Sequence, residues 1–84
     1  MKYRSRAEIV SQILEAAKQD LVGTSKTNIM YHACLSFTQL REYLKLVLNR
    51  ELLEYDKANR RYRLTEKGIE YLEMFHHTRS LIDL

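Results

Sequence analysis

The spacing of apolar residues changes once in the middle of the chain, and this change limits the folds that the chain can adopt. In the first half, apolar residues recur every three or four positions, which is typical of amphipathic helices. The period then becomes two: Leu53 and Tyr55 alternate with polar residues, and so do Tyr62 and Leu64. Helical spacing returns after Thr65. The pattern therefore predicts several helices, one two-stranded hairpin and a final helix.

Two capping boxes mark the starts of the first and third predicted helices. Ser5 and Glu8 have the required spacing, as do Ser36 and Gln39, so each pair can satisfy exposed backbone N–H groups. The third helix is predicted to extend over Phe37–Asn49. The expected buried face of the first helix comprises Ile9, Val10, Ile13, Leu14 and Ala17, and that of the third comprises Phe37, Leu40, Tyr43, Leu44, Val47 and Leu48.

A shorter second helix is predicted between these two. Either Thr24 or Ser25 can cap it, and a brief break at Cys34 separates it from the third helix. Cys34 is most simply a small buried residue. Two helices joined by such a short break form the skeleton of a helix-turn-helix. Leu21 and Val22, which precede the second helix, are expected to pack under the core.

The hairpin turn and the cap of the last helix complete the predicted order. The turn spans residues 56–60, in which Asn59 is the residue best suited to a left-handed conformation. Thr65 can cap the last helix. Three helices, a hairpin and a helix predict an α+β, mainly α, winged helix-turn-helix. The 84 residues support one core, so a single domain over 1–84 is expected, with 66–84 as a possible dimerisation helix.

Composition excludes several other classes of protein. Hydrophobic residues make up 45% of the chain, which is enough for a folded core. No apolar stretch comes near the length of about 18 residues that a membrane-spanning helix needs. The basic N-terminus also lacks the apolar run of a secretory signal. A single cysteine indicates a reducing, intracellular setting. A cytoplasmic, nucleoid-associated protein with no membrane partner is therefore expected.

The positive charge is concentrated in the middle of the chain. The net charge is +3, but residues 24–63 carry eight basic and four acidic residues, whereas residues 64–84 carry two basic and four acidic ones. A basic stripe confined to one part of a fold is typical of a phosphate-binding surface. The distribution therefore predicts double-stranded DNA as the partner.

Candidate DNA-binding residues fall into three groups. The outer face of the third helix, which suits the major groove, carries Thr38, Gln39, Arg41 and Lys45. The hairpin offers Lys57, Asn59, Arg60 and Arg61 to the DNA backbone or minor groove, and the second helix begins with a possible phosphate clamp of Lys26, Thr27 and Asn28. The alternatives are a solvated helix surface for the first group, an exposed edge strand kept soluble by charge for the second, and ordinary helix capping for the third. Glu42 on the outer face of the third helix opposes a purely electrostatic docking.

No constellation of residues predicts catalysis or metal binding. His32 and Cys34 are two positions apart, and His76 and His77 are adjacent, so on a helix each pair diverges and chelates poorly. Neither a glycine-rich phosphate loop nor a Ser–His–Asp arrangement is present. The sequence therefore predicts no enzyme activity, no cofactor, no metal and no small-molecule ligand.

The last predicted helix has apolar residues on two faces. A helix at the end of a small domain needs only one such face for its own core, so the second face favours a partner, most simply a second copy of the chain. The alternative is a frayed end that leaves these residues half exposed. The candidate dimerisation residues are Ile69, Leu72, Met74, Phe75, Leu81 and Ile82.

Several short segments together carry a family-like signature: residues 26–31, 33–36, 43–45, 52–54 and 62–68. With them the chain resembles, over about residues 7–75, an archaeal winged helix-turn-helix DNA-binding family that includes the ten-kilodalton crenarchaeal chromatin proteins. The resemblance implies dimers joined by an antiparallel coiled coil of their final helices, and binding to double-stranded DNA with little sequence preference. The last helix here would reach only about 30 Å, which excludes a long coiled coil and leaves a short helix-pair dimer open.

Two functions are compatible with these observations. The first is double-stranded DNA binding by a transcriptional regulator or chromatin-associated protein. The second is a winged-helix module that binds another protein, which is favoured by Glu42 and the modest net charge. An apolar, uncharged outer face on the third helix would favour the second.

Overall fold

The computed structural model describes residues 4–82, with Ile82 described by its backbone alone. The elements in chain order are α1 (Arg6–Lys18), α2 (Lys26–His32), α3 (Phe37–Asn49), β1 (Leu53–Asp56), β2 (Arg61–Leu64) and α4 (Glu66–Ile82). The predicted order and the mainly helical α+β class are confirmed. No helix in this part of the chain is both long and apolar enough to cross a membrane.

Each helix begins at a hydroxyl side chain that accepts a backbone hydrogen bond. Ser5 and Ser36 form complete capping boxes at the starts of α1 and α3, as predicted. Ser25, rather than Thr24, caps α2 by accepting the Asn28 N–H at 3.1 Å. Thr65 Oγ1 accepts the Gly68 N–H at 2.9 Å. Local hydrogen bonds therefore fix where the helices start.

The core lies where α1, α2, α3, β1 and α4 meet. The largest fully buried side chains are Ile13, Leu14, Ile29, Leu40, Val47, Leu53 and Leu72. Four of them lie on α1 and α3 at the predicted helical spacing, and most of the expected buried faces of these two helices are confirmed.

Three aliphatic or aromatic residues expected in the core are exposed instead. Leu21 is 99% exposed and Val22 also faces solvent, because α1 ends at Lys18 and the chain then turns away from the core. Asp20 stabilises this turn by accepting the Val22 N–H at 3.0 Å. Phe37 is 59% exposed because it is the first residue of α3, at the edge of the helix–helix contact.

The hairpin β1–β2 with its turn, residues 53–64, is here called the wing. Its strands are antiparallel, with Leu53 opposite Leu64. Thr24 adds an isolated bridge to β2, because its N–H and C=O each form a 2.8 Å hydrogen bond with the backbone of Tyr62. Gly23, at φ +100°, packs so closely that a Cβ there would lie 2.7 Å from the Tyr62 carbonyl oxygen. The segment before α2 is thereby joined to the wing.

Candidate nucleic-acid interface

The outer face of α3 presents polar and cationic side chains to solvent. Thr38, Gln39, Arg41 and Lys45 are all exposed, and Glu42 lies among them. On the opposite side the helix is anchored by its buried residues Leu40, Leu44 and Val47. The helix is therefore held rigidly from behind while its outer face stays available, as a major-groove helix requires.

Gln39 has a structural role that limits what it can recognise. Its Oε1 accepts the Ser36 N–H at 3.0 Å, and its own N–H donates to Ser36 Oγ at 3.2 Å. Reading adenine in the major groove takes both ends of a glutamine amide. Because Oε1 is held in the cap, Gln39 could contact adenine only through the second lone pair of this oxygen or by leaving the cap, whereas its Nε2 donor can meet a phosphate oxygen directly.

The starts of α2 and α3 lie close together. Lys26, the first residue of α2, places its Nζ 5.9 Å from the centre of the Phe37 ring. Lys26, Thr27 and Asn28 are exposed, but the Asn28 amide donates to Thr24 Oγ1 at 2.7 Å. Lys26 and Thr27 are therefore the freer members of the predicted phosphate clamp.

The wing tip carries exposed cations around one internal acid. Lys57, Asn59, Arg60 and Arg61 are all exposed. Asn59 is not the left-handed residue that the sequence predicted, because Arg60 takes that conformation at φ 53°. The Asn59 amide instead donates to Asp56, and this hydrogen bond is the main cause that lowers the pKa of the Asp56 carboxyl from its ordinary value.

Only one arginine of the wing has an acidic partner among the described residues. Arg63 Nη2 lies 3.2 Å from Glu54 Oε1 on the facing strand. By contrast, Arg60 and Arg61 form no ion pair within the described part of the chain, and neither do the other predicted contact cations, Lys26, Arg41, Lys45 and Lys57. The cations of α3, the wing and the start of α2 are thus free to meet phosphates.

The two sides of α4 differ in what they contact. Leu72 is only 2% exposed and belongs to the core of this chain, so it offers no surface to a partner. Phe75 is half-buried on the same side. Met74 and Leu81 are 72% and 59% exposed on the outer side, and Ile69 lies at the edge. The Ile82 side chain, also a predicted dimerisation residue, lies outside the described part.

The described residues contain no group of three metal-ligating side chains. His76 Nε2 instead contacts Glu15 Oε1 at 2.8 Å, which ties α4 to α1. Cys34 was expected to be buried and is exposed, because it takes a left-handed conformation, φ 52°, in the turn between α2 and α3.

Arg4 has a role that the sequence did not predict. Its guanidinium donates to the carbonyl oxygens of Ala33 and Cys34, at the turn between α2 and α3, and to the Gln12 side chain. A basic residue just before the capping box was the only local signal, and it does not identify a partner about thirty residues away. Arg4, which directly precedes the cap of α1, is thereby joined to the helix-turn-helix.

Comparison with known proteins supports the assignment of the fold. A family model described as winged helix-turn-helix matches residues 3–83. Among solved structures, the chain is similar to Sso10a-2, a DNA-binding protein from Sulfolobus solfataricus, with a TM-score of 0.81 and 22% identity over 95% of this chain and 83% of that one. No curated protein matches the sequence significantly. The family resemblance expected from the sequence is confirmed: the chain belongs to the winged helix-turn-helix family.

Proposed function

We propose that the protein binds double-stranded DNA, with α3 in the major groove and the wing on the backbone or minor groove. The observation that carries this proposal is the set of exposed cations without an acidic partner in the described residues: Lys26, Arg41, Lys45, Lys57, Arg60 and Arg61. Unpaired cations on a helix and an adjoining hairpin suit the phosphates that flank a groove. The similarity to a protein described as DNA-binding supports the same function.

Within this proposal the three groups of residues have different roles. Arg41 on α3 pairs with a base edge, most simply guanine, while Lys45 and Gln39 meet phosphates. Lys26 and Thr27 hold the neighbouring backbone. Arg60, Arg61 and Lys57 contact phosphates or enter the minor groove, which fixes the register without reading sequence. Such a division suits a regulator or a chromatin-associated protein of modest sequence preference.

The protein-binding alternative would be favoured by an apolar, uncharged outer face on α3. That face carries Arg41, Lys45 and Glu42. Two cations against one acid favour a polyanion over an apolar partner.

The test is a fluorescence anisotropy titration of a short labelled duplex at several NaCl concentrations. Specific and non-specific DNA binding both predict that the logarithm of the association constant falls linearly with the logarithm of salt between about 50 and 200 mM. The absence of binding to any duplex at the lowest salt would overturn the proposal.

We also propose that two copies associate through the outer side of α4. Met74 and Leu81 are seven positions apart, so both lie on one stripe of the helix that faces away from α1. Sedimentation equilibrium should show a dimer that becomes a monomer when both residues are replaced by lysine. Ser80→Lys, on a different side of α4, is the matched control and should leave the dimer intact. A wild-type protein that sediments as a monomer would exclude this proposal.

A further inference from the structure

Phe37 is an exposed aromatic residue at the start of the helix that we propose enters the major groove. Its side chain is 59% exposed, and it is absent from the hydrophobic residues that pack on the core. Removing a large apolar side chain from water is favourable, so a ring left in solvent at this place has surface available for a ligand.

The neighbours of Phe37 indicate what kind of ligand that is. Lys26 Nζ lies 5.9 Å from the ring centre. Arg41 is four positions further along α3, so it lies one turn away on the same side of the helix. Neither α2 nor α3 carries an acidic residue in its first turn, unlike α1 and α4. An apolar ring between two cations is suited to a polyanion that also displays an apolar group.

The major groove of DNA displays one such group. Base edges there present hydrogen-bond donors and acceptors, and thymine alone among the four standard bases adds a 5-methyl group. A cytosine methylated at the same ring position presents the same apolar chemistry. The ring of Phe37 has the size and polarity to cover such a methyl group while Lys26 meets the flanking phosphate.

We propose that Phe37 contacts the 5-methyl group of a thymine, beside the base that Arg41 reads, and is therefore a specificity-determining residue of the interface. This inference rests on the proposed DNA binding. The contact gives the protein a preference for thymine that its hydrogen-bonding side chains alone do not supply. Thr38 also carries a methyl group on the outer face, so the test has to separate the two residues.

The experiment compares a duplex of alternating thymine and guanine, paired with its adenine–cytosine complement, with the same duplex in which uracil replaces thymine. The two differ only by the methyl group, and every binding register contains it. We expect the wild-type dissociation constant to rise about fourfold with uracil, the factor for one buried methyl group. For Phe37→Ala, the ratio of the dissociation constants for the uracil and thymine duplexes should be near one. Phe37→Leu keeps an apolar side chain, so its ratio should lie between one and the wild-type value.

Leu21→Ala provides the matched control. Leu21 is 99% exposed, and it lies in the α1–α2 loop rather than on α3, so its removal should preserve the wild-type ratio. Because the protein variant and the base change form a double-mutant cycle, any effect of the methyl group on DNA shape alone cancels. Thermal unfolding of each variant shows whether it is folded. If Phe37→Ala does not fold, the wild-type ratio and the ratio for Phe37→Leu still decide the question.

A second pair of duplexes distinguishes the source of the methyl group. Replacing cytosine by 5-methylcytosine in an alternating cytosine–guanine duplex should tighten wild-type binding if any pyrimidine 5-methyl group is accepted. An effect confined to thymine supports thymine as the source, and an effect at both bases supports the shared methyl chemistry.

Three results would overturn the proposal. Equal wild-type affinity for the thymine and uracil duplexes would contradict the methyl contact of Phe37 but would leave the proposed DNA binding intact. An unchanged ratio in folded Phe37→Ala would assign the methyl contact to another residue, such as Thr38. No binding to either duplex would overturn both this inference and the proposed function.

Discussion

The Asn59 side chain amide donates a hydrogen bond to the Asp56 carboxylate at the tip of the wing, with Nδ2 2.8 Å from Oδ2. The backbone N–H groups of Ala58 and Asn59 donate to the other oxygen, Oδ1, at 3.1 and 3.3 Å. One carboxylate therefore organises the turn that carries Lys57 and Arg60. No ion pair joins this carboxylate to Lys57 or Arg60 in the described part of the chain.

Acidification should loosen this turn. The hydrogen bonds from Asn59 lower the pKa of the folded Asp56 carboxyl from its ordinary value. A carboxyl whose pKa is lower in the folded than in the unfolded state stabilises the fold at any pH above its unfolded-state pKa. This stabilisation is lost as the pH falls through the lowered pKa of the folded state. We expect an NMR titration to show the Asp56 carboxyl and Asn59 amide signals moving together, with a midpoint below that of an aspartate in the unfolded chain. A midpoint above that value would contradict the prediction, and Asp56→Asn should abolish the transition.

Neutralising the free cations of the wing should weaken DNA binding and flatten its salt dependence. In Arg60→Gln/Arg61→Gln, the negative slope of the logarithm of affinity against the logarithm of salt concentration should become shallower by about two, one for each lost phosphate contact. Anisotropy titrations at several salt concentrations measure this slope. Arg63→Gln is the matched control, because Arg63 is already paired with Glu54 and should change the slope less. Equal effects in the two variants would exclude a special role for the wing tip.

Replacing Arg60 by glycine should have opposite effects on stability and on binding. Arg60 occupies a left-handed conformation, φ 53°, that disfavours every side chain, so glycine should stabilise the fold by about 1 kcal/mol. The same change removes a cation, so duplex affinity should decrease. Glu51→Gly, at φ 59°, should give a similar stabilisation without weakening DNA binding. Urea denaturation measures the free energy of unfolding of both variants, and anisotropy titrations measure their duplex affinity. An Arg60→Gly variant that is less stable than the wild type would contradict the prediction.

Gly68→Ala should destabilise the protein although alanine favours helices. A Cβ at Gly68 would overlap the Leu52 carbonyl oxygen and lie 2.6 Å from Leu64 Cδ1. Overpacking of this kind costs about 1–3 kcal/mol, against the about 1 kcal/mol that alanine gains over glycine inside a helix. Because one of the overlapped atoms is backbone and cannot swing aside, we expect a net loss and a lower thermal midpoint. Ser80→Ala, on an exposed part of α4, should be neutral or slightly stabilising.

The parts of the fold that were predictable from sequence are those determined by local chemistry. Ser5 and Ser36 cap α1 and α3 as their spacing required, because a capping box involves only four consecutive residues. The period-two alternation likewise identified both strands of the wing. Leu21 and Phe37 were misassigned because their burial depends on where other elements lie, and apolarity alone does not determine that.

The candidate site was predictable by residue type but not by the state of each side chain. The charge and spacing of Arg60 and Arg61 already indicated a cationic wing. The side-chain amides of Gln39 and Asn59 form hydrogen bonds within the protein, with Ser36 and Asp56 respectively. These bonds depend on three-dimensional distances, which residue type alone does not give. Asn59 was also displaced from the left-handed position, because its hydrogen bonds to Asp56 move that conformation one residue along the chain.

The paired hydrogen bonds between Thr24 and Tyr62, with Gly23 packed against β2, join the wing to the segment that starts α2. Protein parts joined in this way present a template of fixed dimensions. A duplex that has to touch α3 and the wing together must then supply the adjustment itself, by bending or by changing the width of its grooves. That deformation costs a free energy that depends on base sequence. Easily deformed stretches of DNA would therefore be preferred even at base pairs that no side chain reaches.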